Sequence, residues 1–366
     1  MALEIESSTL ARNSLKLIKD YQDMNGTSYE TLSAPPTPLQ FSKIVQLGRP
    51  VVIKGYGRSI PAFGKWSASY LSDTMGEQLI SVAVTPDGNA DALYDHPPED
   101  LEHSTAYFVE PHAEKMTMQS FLNKLTSPSN TTEIVYLQSQ NGNLYNPYSE
   151  DTEYAALLDD VPQDVPWANE ALGQEHPDAT NIWIGTSASA TSLHKDPYEN
   201  IYAVIRGSKT FTVLPPTEGL LVGTKLYPHA KWHRSSESSS LSLLPSSPVQ
   251  DDKQTGQIPW ASVNPTLPPS TAPTPLFRHA RPMSINVDEG DALYLPSGWW
   301  HYVTQTEGDE GFCAAVNWWF DSDFTGERWV MRTFLERAGR ELNWIEDGAV
   351  DSDEEEEEEE EDVEDI

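Results

Sequence analysis

Apolar positions recur at helical spacing near the start of the chain. Leu10, Leu17, Ile18, Tyr21 and Met24 predict an amphipathic helix over residues 8–25, with Gly26 as its stop. Past a Pro-rich connection at Thr31–Pro38 the pattern changes to short β-type runs. These are Val51–Ile53, Ile80–Val84, Ile134–Leu137, Asn181–Ile184, Ile201–Ile205, Thr210–Leu214, Met283–Val287, Ala292–Leu295 and Cys313–Trp318. Gly, Pro, Asn and Asp punctuate them and few helical stretches intervene, which predicts an antiparallel barrel or sandwich. Two of the runs flank Gly207-Ser208, a pair suited to a type II′ turn. That spacing predicts a hairpin over Ile201–Leu214, with Arg206 facing Lys209 and Asn200 on the same sheet face as Lys209. Phe324–Ile345 reads as a closing helix whose stripe is Val330, Phe334, Ala338, Leu342 and Ile345.

Composition refines this picture at two places. Residues 234–257 are Ser-rich with few apolar groups, so burial there does not offset ordering entropy and a mobile insertion is expected, with Trp260 as an anchor at its end. Beyond the closing helix, thirteen of the last sixteen residues are acidic, a solvated polyanionic tail. The expected organisation is a helical segment at 1–33, one β domain at 34–346 carrying the insertion, and the tail at 347–366.

The chain has 366 residues and a net charge of −34; without the tail's thirteen acids, the rest still exceed the 23 basic residues by about 21. Such a surface repels phosphate backbones and anionic membranes, which argues against direct nucleic-acid binding and for basic protein or peptide partners. With apolar residues at 38 %, a substantial core is available. Cys313 is the single cysteine, which excludes an internal disulfide and a multi-cysteine zinc site. No basic segment followed by an apolar run opens the chain, and no stretch has the length of a membrane span. A reducing compartment is expected, the cytoplasm first and the nucleus as an alternative.

Three His-x-acid triplets occur: His112-Ala-Glu114, His176-Pro-Asp178 and His194-Lys-Asp196. In an acid-rich chain such triplets arise by chance, so context separates them. His176-Pro-Asp178 carries a proline and reads as loop, and His112 has no strand framework after it. His194 stands in an extended segment before a strand, where residues i and i+2 share a face and can hold one ion together. A third ligand is offered by His301, after a strand, a turn and Trp299-Trp300. Two imidazoles and one carboxylate on one side of Fe(II) form the facial triad of non-haem oxygenases, with positions left open for a keto acid and dioxygen. A dicarboxylate cosubstrate needs a cation, and Lys209 is placed to project into a barrel.

His194-Lys-Asp196, Asn200, Lys209, Leu-Pro-Pro at 214–216, Tyr-Leu-Pro at 294–296, Trp-Trp-His at 299–301 and Val-Asn-Trp-Trp at 316–319 resemble the Jumonji-C (JmjC) oxygenases. The segments Ile80–Ala92, Val165–Ala171 and Thr191–Asn200 are similar to the lysyl hydroxylases of that family that act on developmentally regulated GTP-binding proteins. The resemblance covers roughly residues 8–340 and implies a mainly β fold, a double-stranded β-helix (cupin-like, jelly-roll barrel) with flanking N- and C-terminal helices. It implies Fe(II) at His194, Asp196 and His301, with 2-oxoglutarate and O2 as cosubstrates. Lys209, Thr191 and Tyr136 would then bind the far carboxylate of 2-oxoglutarate, and Asn200 and Asn317 would lie near its metal-bound end. The implied reaction is hydroxylation of a protein lysine, releasing succinate and CO2. Alternatives are lysine demethylation by the same chemistry and a non-catalytic cupin-like binding protein. Glu110 and Glu199 are candidates for holding a substrate ammonium, and the helices at 8–25 and 324–345 for a homodimer surface.

Overall fold

The computed structural model describes residues 8–96, 105–126, 133–138, 142–146, 152–234, 240–246 and 256–346. Strands are numbered in chain order. Eight of them form the centre: β9 (Ala179–Gly185), β10 (Ala190–Lys195), β11 (Tyr198–Arg206), β12 (Ser208–Leu214), β16 (Met283–Asp288), β17 (Ala292–Leu295), β18 (Trp300–Thr306) and β19 (Cys313–Asp321). They divide between two antiparallel sheets, ordered β17-β11-β19-β9 and β16-β12-β18-β10. Apart from the step from β12 to β16, successive strands alternate between the sheets, so the chain winds as a double-stranded β-helix. β1 (Glu30–Leu32) and β2 (Val51–Ile53) extend the first sheet, and β4 (Asn89–Ala90) extends the second, pairing parallel with β10.

The hydrophobic pattern accounts for the division. β9, β11 and β19 are buried along nearly their whole length, because one face looks into the barrel and the other is covered by helices. On the covered side Phe41, from helix α2 (Pro38–Leu47), packs edge-on against Tyr294 at 4.9 Å. β12 and β16 instead alternate buried and accessible residues, as strands with one solvated face do. Lys209, Phe211 and Val213 fall on the inner face. Smaller sheets complete the molecule: β7 (His112–Thr117), β3 (Leu79–Thr85) and β8 (Ile134–Tyr136) form one, and β5 (Ala92–His96), β6 (Thr105–Glu110), β13 (Thr224–Arg234) and β14 (Leu241–Pro245) the other, with β15 (Gln257–Ala261) pairing on β13.

Four expectations are corrected. β11 and β12 are not a hairpin: β11 pairs with β17 and β19, β12 with β16 and β18, and Gly207, at φ 74°, turns the chain from one sheet to the other. Arg206 consequently faces Ala314, and Lys209 faces Val287 and Gln305. In the segment read as an insertion, Leu241–Pro245 is strand, held by pairing to β13, while 235–239 and 247–255 lie outside the described residues, as does the tail at 347–366. The first helix, α1 (Thr9–Asn25), is capped by the Ser8 hydroxyl but buries Ala11, Ser14, Ile18 and Gln22 and leaves Met24 exposed. After α3 (Ala68–Met75), α4 (Met118–Thr126) and α5 (Pro166–Leu172), the last helix, α6 (Gly326–Glu341), buries Leu335, Ala338 and Gly339 and exposes Val330 and Phe334. In both helices tertiary packing selects a face rotated from the most apolar one, because small residues allow close approach.

Candidate metal centre

β10 and β18 carry the ligand candidates as direct cross-strand neighbours, His194 opposite His301. An irregularity makes this possible. Three steps along β10, from Thr191 to His194, match two steps along β18, from Val303 to His301. In a regular strand residues three apart point to opposite faces; the bulge lets Thr191 and His194 both look inward. Asp196 follows just beyond the strand end, and its carbonyl accepts the Gly298 N–H at 2.8 Å, which ties the turn before β18 to the other ligand segment.

The three side chains converge. His194 Nε2 lies 3.8 Å from Asp196 Oδ1, His301 Nε2 lies 3.5 Å from Asp196 Oδ2, and one donor atom from each falls within 4.8 Å of the other two. Each imidazole is oriented in the same way, by a hydrogen bond from Nδ1 to the carbonyl two residues earlier: His194 to Ser192 at 2.8 Å and His301 to Trp299 at 3.0 Å. That tautomer frees both Nε2 lone pairs toward the shared centre. Burial first, then the neighbouring His194, pushes His301 down to about 4, partly opposed by Asp196 and the Trp299 carbonyl, so it is neutral at physiological pH and its Nε2 can accept a metal. Neutral nitrogen donors and one carboxylate suit a first-row divalent ion, and the donor set therefore fits one.

Around this centre the inward-facing side chains are largely buried. Lys209 is 1 % exposed; its ammonium donates to Gln305 Oε1 and, at 3.2 Å, to the Tyr136 hydroxyl, and lies 5.3 Å from the Tyr136 ring centre. Among the described residues these partners are neutral, so the charge is available to an anion. Thr191, Tyr136, Asn200 and Asn317 all line the cavity that contains the three ligand candidates. Asn317 is committed twice, accepting from Trp183 Nε1 at 2.7 Å and donating to Asn200 Oδ1 at 3.1 Å, which fixes both amides. Tyr202, Phe211, Val303 and Trp319 supply apolar wall.

Sequence reading missed Gln305, Trp183 and Gly185. The first had a signal: in β18, His301, Val303 and Gln305 share the inner face by alternation. Gly185 gives none, yet a Cβ there would come within 2.5 Å of both Gln305 Nε2 and the Tyr136 ring. The other histidine triplets lie elsewhere. His176 pairs with Asp164 at 2.9 Å on the surface, and His112, which opens strand β7 and does not lack a strand framework, packs edge-on to His233. Glu199 is buried facing away from the cavity, bonded to Tyr294 and Ser297, and Glu110 is engaged by His229 and Lys231.

A family model described as a cupin-like domain matches residues 36–326. The chain is 36 % identical over 294 residues to the bifunctional peptidase and (3S)-lysyl hydroxylase JMJD7 of Homo sapiens, covering 80 % of this chain and 84 % of that one. It is 35 % identical over 307 residues to the lysine-specific demethylase JMJ32 of Arabidopsis thaliana, covering 82 % and 83 %. The JmjC domain-containing protein E of Dictyostelium discoideum is 33 % identical over 315 residues, covering 83 % and 86 %.

Proposed function

Because the chain belongs to the cupin-like, JmjC-type family of oxygenases, we propose that it is an Fe(II)- and 2-oxoglutarate-dependent dioxygenase that hydroxylates a lysine side chain of a protein, with a GTP-binding protein as the foremost substrate. The observation that carries this reading is the convergence of His194, Asp196 and His301 beside a buried Lys209. A ferrous ion held by the three would supply, with O2 and 2-oxoglutarate, the oxidising power to hydroxylate a C–H bond, 2-oxoglutarate leaving as succinate and CO2.

The chain's own residues do the rest. The two imidazoles bind as neutral ligands, and Asp196 contributes one negative charge, so the site keeps a net positive charge that attracts an anionic keto acid. Lys209 would bind the far carboxylate through a charge-assisted hydrogen bond, with the Tyr136 and Thr191 hydroxyls beside it. Asn200 and Asn317 would flank the metal-bound end. The apolar wall keeps water from the reacting carbon. The exposed faces of α1 and α6 would be the place for a second copy to dock, and the tail would attract basic substrate surfaces. Among the described residues no helix is long and apolar enough to cross a membrane.

Replacing His194 or Asp196 by alanine is expected to abolish 2-oxoglutarate decarboxylation and to lower bound iron, measured by succinate release and metal analysis. Wild-type turnover in either variant would overturn the assignment. Mass spectrometry of a treated substrate distinguishes the gain of one oxygen from the loss of a methyl group, and so hydroxylation from the demethylation named for the plant relative.

A further inference from the structure

Beside the ligand strand lies a carboxylate that the reaction described above does not use. Asp91 directly follows β4, whose parallel pairing sets Ala90 against Thr191 and brings Asp91 alongside Ser192. The Asp91 carbonyl accepts the Ser192 hydroxyl, two residues before the ligand candidate His194. The backbone is left-handed there, φ 50°, a conformation that aspartate and asparagine tolerate better than most residues. Gln138 flanks the carboxylate from just beyond β8. It stands two residues beyond Tyr136, is 6 % exposed, and donates Nε2 to Asp91 Oδ2 at 3.4 Å. Gln138 Oε1 is buried with no hydrogen-bond partner among the described residues. No lysine or arginine pairs with Asp91 among the described residues.

The half-buried carboxylate has one long amide hydrogen bond and no cation, and the neighbouring amide oxygen has no donor among the described residues. The group that satisfies both is a primary ammonium, which brings three N–H donors and one positive charge. We propose that Asp91, together with Gln138 Oε1, anchors the ammonium of the substrate lysine and thereby presents a methylene of its stem to the metal centre. Trp260 supplies the apolar flank: its indole lies parallel to the His194 ring at 6.2 Å and donates to the Ser192 hydroxyl at 3.1 Å. The assignment rests on the lysyl-oxygenase reading and sharpens it. A trimethylated lysine has no N–H to give, so this anchor favours the unmethylated side chain and oxidation at carbon rather than removal of an N-methyl group.

The test uses three probes, Nα-acetyl-lysine amide, its trimethyl-lysine counterpart and its norleucine counterpart. Their binding is measured anaerobically by NMR titration to the full chain loaded with Mn(II) and 2-oxoglutarate. In the wild type the lysine probe is expected to bind at least tenfold more tightly than either of the others, and in Asp91→Asn that preference should collapse to near unity. Asparagine suits the left-handed backbone, and circular dichroism checks the fold; should the variant not fold, the wild-type ratios decide alone. Equal binding of the lysine and norleucine probes by the wild type, or a preference kept by folded Asp91→Asn, would overturn the role of Asp91 and leave the oxygenase reading intact. Wild-type protein with Fe(II) that releases no succinate from 2-oxoglutarate under any substrate would overturn that reading instead.

Discussion

Lys209 shows how a single position becomes a binding group. Between Ser208 and Thr210 its sequence surroundings suit an exposed residue, yet strand parity turns it inward with Phe211 and Val213, where Gln305 and Tyr136 hold it. Both of those partners depend on the missing side chain at Gly185. In Gly185→Ala the added methyl, placed 2.5 Å from each, must displace them, so the ammonium loses its support. The expected outcome is a roughly tenfold rise in the 2-oxoglutarate concentration needed for half-maximal succinate release, smaller than the roughly ten- to hundredfold or larger rise for Lys209→Ala. An unchanged requirement in the Gly185 variant would detach Gln305 and Tyr136 from the cosubstrate. At this scale the His194-x-Asp196 pair was legible as a short motif and His301 as the third ligand that pair calls for, whereas Lys209 was read inward only through the triad beside it and the family resemblance. Gln305 required the strand's phase, and Asp91 and Gln138 required knowledge of which strands meet.

At the scale of elements, the strands that carry the ligands were the hardest to see. β2 and β17 match apolar runs residue for residue, whereas β10 reads Ala-Thr-Ser-Leu-His-Lys and β18 reads Trp-His-Tyr-Val-Thr-Gln-Thr. Their inner faces are polar because the site lies there, which hides the usual alternation. The apparent hairpin failed for a related reason: a tight glycine turn fixes a change of direction, not which sheet the next strand joins. The bulge in β10 is the element's working feature. Deleting Leu193 would leave Thr191 and His194 two apart in a regular strand, so that both still face inward without the bulge. Such a variant is expected to keep a β-rich circular dichroism spectrum and to bind Mn(II) within about threefold of the wild type; a loss of tenfold or more would show that the extra residue does more than set which face the two side chains share.

For the whole molecule, the succession of short strands anticipated an antiparallel barrel or sandwich and the family resemblance its two-sheet winding, while the terminal helices were anticipated in place but not in orientation. Which face of α1 or α6 is buried depends on the small residues Ala11, Ser14, Ala338 and Gly339, and apolar content alone points elsewhere. The barrel also has a thermodynamic asymmetry. Lys209 is an ammonium taken out of water with only neutral partners among the described residues, a cost of several kcal/mol in general. A dicarboxylate that enters the barrel removes that cost, so 2-oxoglutarate is expected to raise the melting temperature in a calorimetric scan even without metal, and Lys209→Met to be more stable than the wild type when no ligand is present. No rise with 2-oxoglutarate would contradict this. The loaded chain unfolds less often than the empty one, and proteases act on what unfolds. Supply of the keto acid would thus govern how long each molecule survives in a cell, as well as how fast it works.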